Sequence, residues 1–380
     1  MLKIFAVIVG ILLILLVLWE AFETIVLPRR VTRQFRLTRL FYRSTWRPWV
    51  TIAAMRHTKK KRDALLGYYG PLSLLLLLAF WAVTLVVGFG LLHYGLHDKL
   101  AGTLFPSDFG NALYMSGTTL FTLGLGDIQP ASATGRFVTV LEAGIGFGFL
   151  ALVIGYLPVL YQAFSRREVT ISLLDARAGS PPTAVELLRR QSGVHGLEAL
   201  TELLEDWELW SADLMESHLS YPALAYFRSQ HDNQSWIASL TAILDICALA
   251  MVGLEGMCQY QARMTFAIAR HALVDLSQVF SAPPDKDGSN NRMPPEVLKQ
   301  LRAAIAESGF VLADNEASIA ELNRLRELYE PYALSLAGYL RLELPPWIKG
   351  GVSKDNWQTT AWQQSQTRHA PAVPAHDEHV

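Results

Sequence analysis

The chain has 380 residues, of which 51% are hydrophobic and only 18% charged; an ordinary soluble domain carries about 25% charged residues, so a wholly soluble protein and a disordered one are both excluded. Its 33 basic and 34 acidic side chains leave a net charge of −1, which argues against a nucleic-acid partner. Two cysteines, Cys247 and Cys258, are too few for a disulfide framework.

The first predicted element is an apolar run from Ile4 to Leu27, within residues 1–28. It is long enough to cross a bilayer, which takes about 20 apolar residues. Its length, and the lack of a small-x-small site before Pro28, favour an anchor over a cleaved signal peptide. Glu20 and Glu23 share a helix face near its end, where pairing with Arg29, Arg30 or Arg33 at the headgroups is expected.

Residues 29–70 form a basic segment. Between 29 and 62 lie twelve Lys/Arg (Arg29, Arg30, Arg33, Arg36, Arg39, Arg43, Arg47, Arg56, Lys59, Lys60, Lys61, Arg62) and no acid. Phe35, Leu37, Leu40, Phe41, Tyr42, Trp46 and Trp49 are interleaved with them. Two readings stay open: an interfacial helix on anionic membrane lipid, or a plain topogenic loop.

A second spanning run covers Pro71–Gly95 and a third covers Phe137–Phe164, the latter broken only by Glu142. Between them lies the apolar stretch Phe109–Thr122. As a helix it would reach only about 20 Å, too short to span. Basic loops face the cytoplasm. Residues 29–62 and Arg166–Arg167 can both do so only if residues 96–136 lie outside and the short run enters and leaves on one side. The N-terminus then faces out and residues 165–380 face the cytosol.

A re-entrant segment exposes backbone polar groups at membrane depth, which is tolerated only where they are buried in protein or line a water-filled path. Here a helix over 109–121, capped by Ser107 or Asp108, runs into Thr122-Leu123-Gly124-Leu125-Gly126-Asp127. Consecutive carbonyls can point to one side if alternate residues adopt conformations that glycine permits, and Gly124 and Gly126 have that spacing. The carbonyls of Thr122, Leu123, Gly124 and Leu125 could then replace the water around a cation. Asp127 either bonds behind this strand or stands as a solvated acid at the outer mouth.

Residues 71–164 therefore resemble the pore domain of potassium channels, whose filter reads TVGYG, usually followed by Asp. The resemblance extends to Gly135-Arg136 at the start of the inner helix. It implies an outer helix at 71–95, a pore helix at 109–121, a filter at 122–127 and an inner helix at 136–164. It also implies potassium as the permeant ion, with no other cofactor, and four copies around one axis, since one strand cannot surround an ion. Leu125 departs from the family's Tyr or Phe, and Tyr114 and Met115 stand where a tryptophan cuff is common. These departures raise the alternative of a weakly selective monovalent cation channel. A receptor or scaffold with a vestigial pore is the alternative from another class.

On the inner helix, Gly146 falls at the family's hinge position and Pro158 favours a kink near the cytoplasmic end. Stepping by three and four residues predicts Phe147, Leu150, Ile154 and Pro158 along a cavity. Glu142 is costly in lipid and is expected to bond the pore helix at Ser116, Thr118 or Thr119.

Residues 165–362 read as a cytosolic helical domain with a net acidic charge. Helices are predicted at Thr183–Gln191, Leu197–Met215, Ser235–Met257, Met264–Phe280, Pro295–Ala306 and Glu316–Leu340. Ala242–Gly256 is apolar, but it is short and holds Asp245, so it reads as a buried bundle helix rather than a fourth span. The domain carries no enzymatic constellation, and its ligand or partner is not legible. Residues 363–380 read as a disordered tail. The expected fold class is an all-α membrane protein: three transmembrane helices, a re-entrant pore helix and filter, a helical cytosolic domain, and a homotetrameric assembly.

Overall fold

Runs of Leu, Ile, Val and Phe with few breakers give long helices, and helices make up most of the computed structural model. It describes residues 1–27, 36–96, 100–101, 108–193, 195–231, 233–254, 259–285, 291–313 and 315–350. Arg29, Arg30, Arg33, Ser107, Cys258 and the predicted tail at 363–380 lie outside the described residues. The chain divides into two compact units, Met1–Phe164 with His218–Arg228, and Ser165–Ser217 with Ser229–Val380.

In the first unit, α1 (Leu2–Ala21) lies along α3 (Lys59–Gly95). Small residues let the two backbones meet: a Cβ added at Gly10 would stand 2.6 Å from the Gly88 carbonyl. Between them in chain order, α2 (Leu37–Ala54) buries Tyr42, Trp46 and Ala53 and exposes Arg39, Arg43 and Arg47.

Glu20, near the end of α1, has its expected partners Arg29, Arg30 and Arg33 outside the described residues. It is fully buried and accepts from the Leu37 and Thr38 backbone N–H groups, both at 3.1 Å, and from the Thr38 hydroxyl at 2.8 Å. A helix start leaves N–H groups unpaired and favours negative charge, so this carboxylate caps α2. Glu23 accepts from Trp19 Nε1 at 2.8 Å and lies 3.7 Å from Arg36 Nε.

The outer helix begins at Lys59 rather than Pro71. Pro71 removes one backbone bond without ending the helix, because Leu66, Tyr69 and Gly70 before it are packed in place. Next comes α4 (Phe109–Leu120), capped by Asp108, which accepts from the Asn111 N–H at 2.8 Å. Its twelve residues reach about 18 Å, well short of the roughly 30 Å hydrocarbon layer. A two-residue antiparallel pair, β1 (Leu100–Ala101) with β2 (Gln129–Pro130), closes the loops on either side of it. The inner helix α5 runs from Ala133 to Ala178, longer at both ends than 136–164. Ser132 Oγ accepts the Gly135 N–H at its start, and Pro158 does not end it.

The segment His218–Arg228 returns to this first unit, a departure from the single 165–362 domain expected from sequence. Its short helical turn, Pro222–Tyr226, places Tyr226 among Tyr42, Trp46 and Tyr69.

The second unit holds α6 (Ala184–Arg190), part of α7 (Gly196–Ser220), α8 (Trp236–Gly253), α9 (Gln259–Val279), α10 (Pro295–Glu307), α11 (Glu316–Glu327) and α12 (Glu330–Leu340). The predicted helix over 316–340 is two helices. Pro331 sits in the first turn of α12, where its missing N–H costs nothing, and Tyr329 leaves helical geometry before it.

Among the described residues, four helices are long and apolar enough to cross a membrane. In α8, 83% of the most apolar stretch is buried within the protein, against 22%, 50% and 17% of the most apolar stretches of the spans formed by α1, α3 and α5. Asp245 of α8 is fully buried and fully engaged. It accepts from Arg292 through both oxygens, at 3.1 and 2.6 Å, and from the Tyr329 hydroxyl at 2.5 Å. Glu330 joins the group, 3.2 Å from Arg292 and 2.7 Å from Arg326.

Candidate ion pathway

The C-terminal end of α4 delivers the chain into the predicted filter. Backbone bonds continue past the helix: Thr122 N–H to the Thr119 carbonyl at 3.0 Å, then Leu123 and Gly124 N–H to the Thr118 carbonyl at 2.8 and 3.1 Å. Beyond that point the backbone changes hand at every second residue. Thr122, Gly124 and Gly126 have φ of 58°, 57° and 76°, and Leu123 and Leu125 do not share that sign. Such alternation turns successive carbonyls to the same side of the strand, which a run of one conformation does not do.

The glycine spacing foretold two of the three left-handed positions. Thr122 is the third, and a β-branched residue there costs roughly 1–3 kcal/mol of strain. No sequence signal marks it apart from its place two residues before Gly124. A Cβ added at Gly124 would meet nothing within 4 Å of this chain, so its glycine answers to backbone conformation and not to crowding. Leu123 and Leu125 are exposed on the single chain.

Asp127 Oδ2 accepts from the Tyr114 hydroxyl at 3.0 Å. The bond runs from the residue after the filter to α4, so the tyrosine at the cuff position and the acid after the glycines form one tie. Gln129, which the sequence did not single out, donates from Nε2 to the Gly126 carbonyl at 3.0 Å.

Behind the strand, Glu142 of α5 is fully buried. Of the three predicted partners on α4 it meets Ser116, whose Oγ is 2.5 Å from Oε1, and Thr118 instead bonds the Met115 carbonyl. A partner the sequence did not reveal is His93 of α3, equally buried, with Nε2 3.1 Å from Glu142 Oε2. Ser116 Oγ also lies 2.9 Å from the Val86 carbonyl of α3.

Gly146 is buried against α4, where an added Cβ would lie 2.2 Å from the Leu120 carbonyl. Close approach therefore accounts for this glycine, and it does not share the open face of its neighbours. Phe147, Leu150, Ile154 and Pro158 are exposed along α5, and Gly144, Gly148 and Gly155 have open space where a side chain would go.

Residues 74–162 match the family described as "Ion channel". The matched stretch takes in most of α3, all of α4, the filter strand and most of α5 before Phe164. The chain is also 28% identical over 184 residues to the "Uncharacterized membrane protein YdjJ" of Bacillus subtilis (strain 168), which covers 47% of this chain and 52% of that protein. It thus spans about half the length of this relative. No solved structure gives a significant match.

Proposed function

We propose, on the premise that residues 74–162 of this membrane protein belong to the two-helix potassium-channel pore family, that the protein is a potassium-selective channel conducting passively across the bacterial inner membrane. The observation that carries the reading is the alternation of left-handed backbone at Thr122, Gly124 and Gly126 directly after a helix too short to span. Four such strands around an axis would bind dehydrated potassium through the carbonyls of Thr122, Leu123, Gly124 and Leu125. Asp127, held by Tyr114, would concentrate cations at the outer mouth.

The same geometry supports assembly as a homotetramer. One strand cannot enclose an ion, and only 17% of the apolar window of α5 is buried within its own chain. In a homotetramer part of that surface meets other copies, part meets lipid, and Phe147, Leu150, Ile154 and Pro158 line the cavity. The spans are α1, the apolar part of α3, and α5. Burial of α8 and of its Asp245 supports leaving it in the cytosolic unit, with the N-terminus outside and the C-terminus in the cytosol. The basic stripe Arg39, Arg43 and Arg47 then faces the inner leaflet, where anionic lipid suits it.

The test is potassium flux from liposomes holding purified protein, wild type against Gly124→Ala. The variant is expected to lose flux, because alanine resists the left-handed conformation. Flux in neither protein, under any condition tried, would favour a vestigial pore. A second reading rests on Leu125, which has neither the ring nor the hydroxyl that relatives use to brace the filter. Reversal potentials in mixed potassium and sodium separate strict selectivity from weak.

A further inference from the structure

Ser116 has one hydroxyl proton and two acceptors in reach, the Val86 carbonyl at 2.9 Å and Glu142 Oε1 at 2.5 Å. If Glu142 is a carboxylate, that proton serves only one of them, and an oxygen lone pair faces another at the other contact. If Glu142 carries a proton on Oε1, every contact closes. The carboxyl O–H donates to Ser116 Oγ, the Ser116 hydroxyl donates to the Val86 carbonyl, and His93 Nε2–H donates to Glu142 Oε2 at 3.1 Å.

We infer that Glu142 is a neutral carboxylic acid and that the chain His93–Glu142–Ser116–Val86 positions the pore helix, tying α4 to α3 and α5 behind the filter. The inference rests on the reading of this segment as a pore. The setting agrees with it. His93, Glu142 and Ser116 are each 0–1% exposed. An ionised acid there would need full compensation.

The groups facing Glu142 are few. Among the described residues, His93 is the titratable side chain bonded to it. On α4, Tyr114 is turned to Asp127. From α1, Lys3 lies over the Tyr94 ring, the residue after His93. The link therefore depends on one proton. Removing it at high pH leaves Ser116 with two acceptors and one donor, and the hold on α4 weakens as pH rises.

Infrared spectra of the purified full-length protein in lipid test this directly. Expected is a protonated-carboxyl C=O band at neutral pH that disappears in Glu142→Gln. Its absence would overturn the inference in favour of an imidazolium–carboxylate pair. Thermal unfolding is the second arm. Glutamine reproduces the neutral acid, donating from its amide to Ser116 and accepting from His93. The expected order therefore has Glu142→Gln near wild type and Glu142→Ala well below. A Gln variant that falls as far as the Ala variant would also overturn it.

In flux assays the wild type should lose conduction with rising pH, and Glu142→Gln should flatten that profile. A wild-type profile no steeper than that of the variant counts against the link. Absence of flux refutes the pore reading and leaves the infrared result standing on its own, so the two failures are distinct.

Discussion

Tyr226 stacks on Tyr42, with ring centroids 5.3 Å apart and planes 7° from parallel. Trp46 and Tyr69 close on the same ring at 5.1 and 5.2 Å. A segment 184 positions further along the chain (226 − 42) therefore helps hold the basic helix α2 in place. Tyr226→Ala is expected to cost about 3–5 kcal/mol, the range for truncating a buried aromatic. Thermal unfolding in detergent reads it, with Tyr226→Phe recovering most of the loss. An unshifted transition for the alanine variant would mean the stack bears no load.

Glu20 predicts a second, local effect. Glu20→Ala leaves the first N–H groups of α2 without their acceptor, at a cost on the order of 1 kcal/mol or somewhat more for a cap that is also charged. Hydrogen exchange at Leu37 and Thr38 should accelerate while exchange in α3 holds steady.

Gly146 and Gly144 separate packing from mere helix composition. Gly146→Ala sets a methyl group 2.2 Å from the Leu120 carbonyl and must push α4 or bend α5. Gly144→Ala meets nothing within its own chain. Flux and stability should fall for the first far more than for the second. Equal behaviour would remove close approach as the reason for the glycine.

The tie between Tyr114 and Asp127 predicts a phenotype in time more than in stability, because both groups are exposed. Tyr114→Phe should shorten conduction after opening, seen as faster decay of macroscopic current. Leu125→Tyr should sharpen potassium over sodium discrimination, seen as a shift of reversal potential. Identical reversal potentials would show that the side chain at 125 does not set selectivity.

In the second unit, Asp245 offers a clean test of a buried charge. Burial would by itself lower the Arg292 pKa, but Asp245, Tyr329 and Glu330 hold it above the ordinary arginine value, so the guanidinium stays charged. Asp245→Asn then leaves that charge short of its main partner, at about 3–5 kcal/mol. Asp245→Leu combined with Arg292→Met should recover part of the loss, and a double variant as unstable as the single would argue against an electrostatic origin.

The sequence by itself determined the long apolar runs, the short helix between two of them, the glycines at 124 and 126, and the α8 segment as one that carries Asp245. Hydropathy, length and glycine spacing are properties of neighbouring residues, and they survive without knowledge of what packs where. Even Ser116 as the α4 partner of Glu142 was within reach, because a buried acid must find a bond and few polar side chains on α4 could supply it.

Only the tertiary structure decided which bonds were made. His93 reaches Glu142 across 49 residues, Glu20 caps a helix that starts 17 residues later, and the segment at 218–228 packs on α2. The tertiary structure also put Thr122 into a conformation that its own chemistry resists. The first three are long-range contacts that satisfy a buried polar group or fill an aromatic pocket. No periodicity in the chain records such contacts, since their energy comes from the groups brought together and not from the residues beside them.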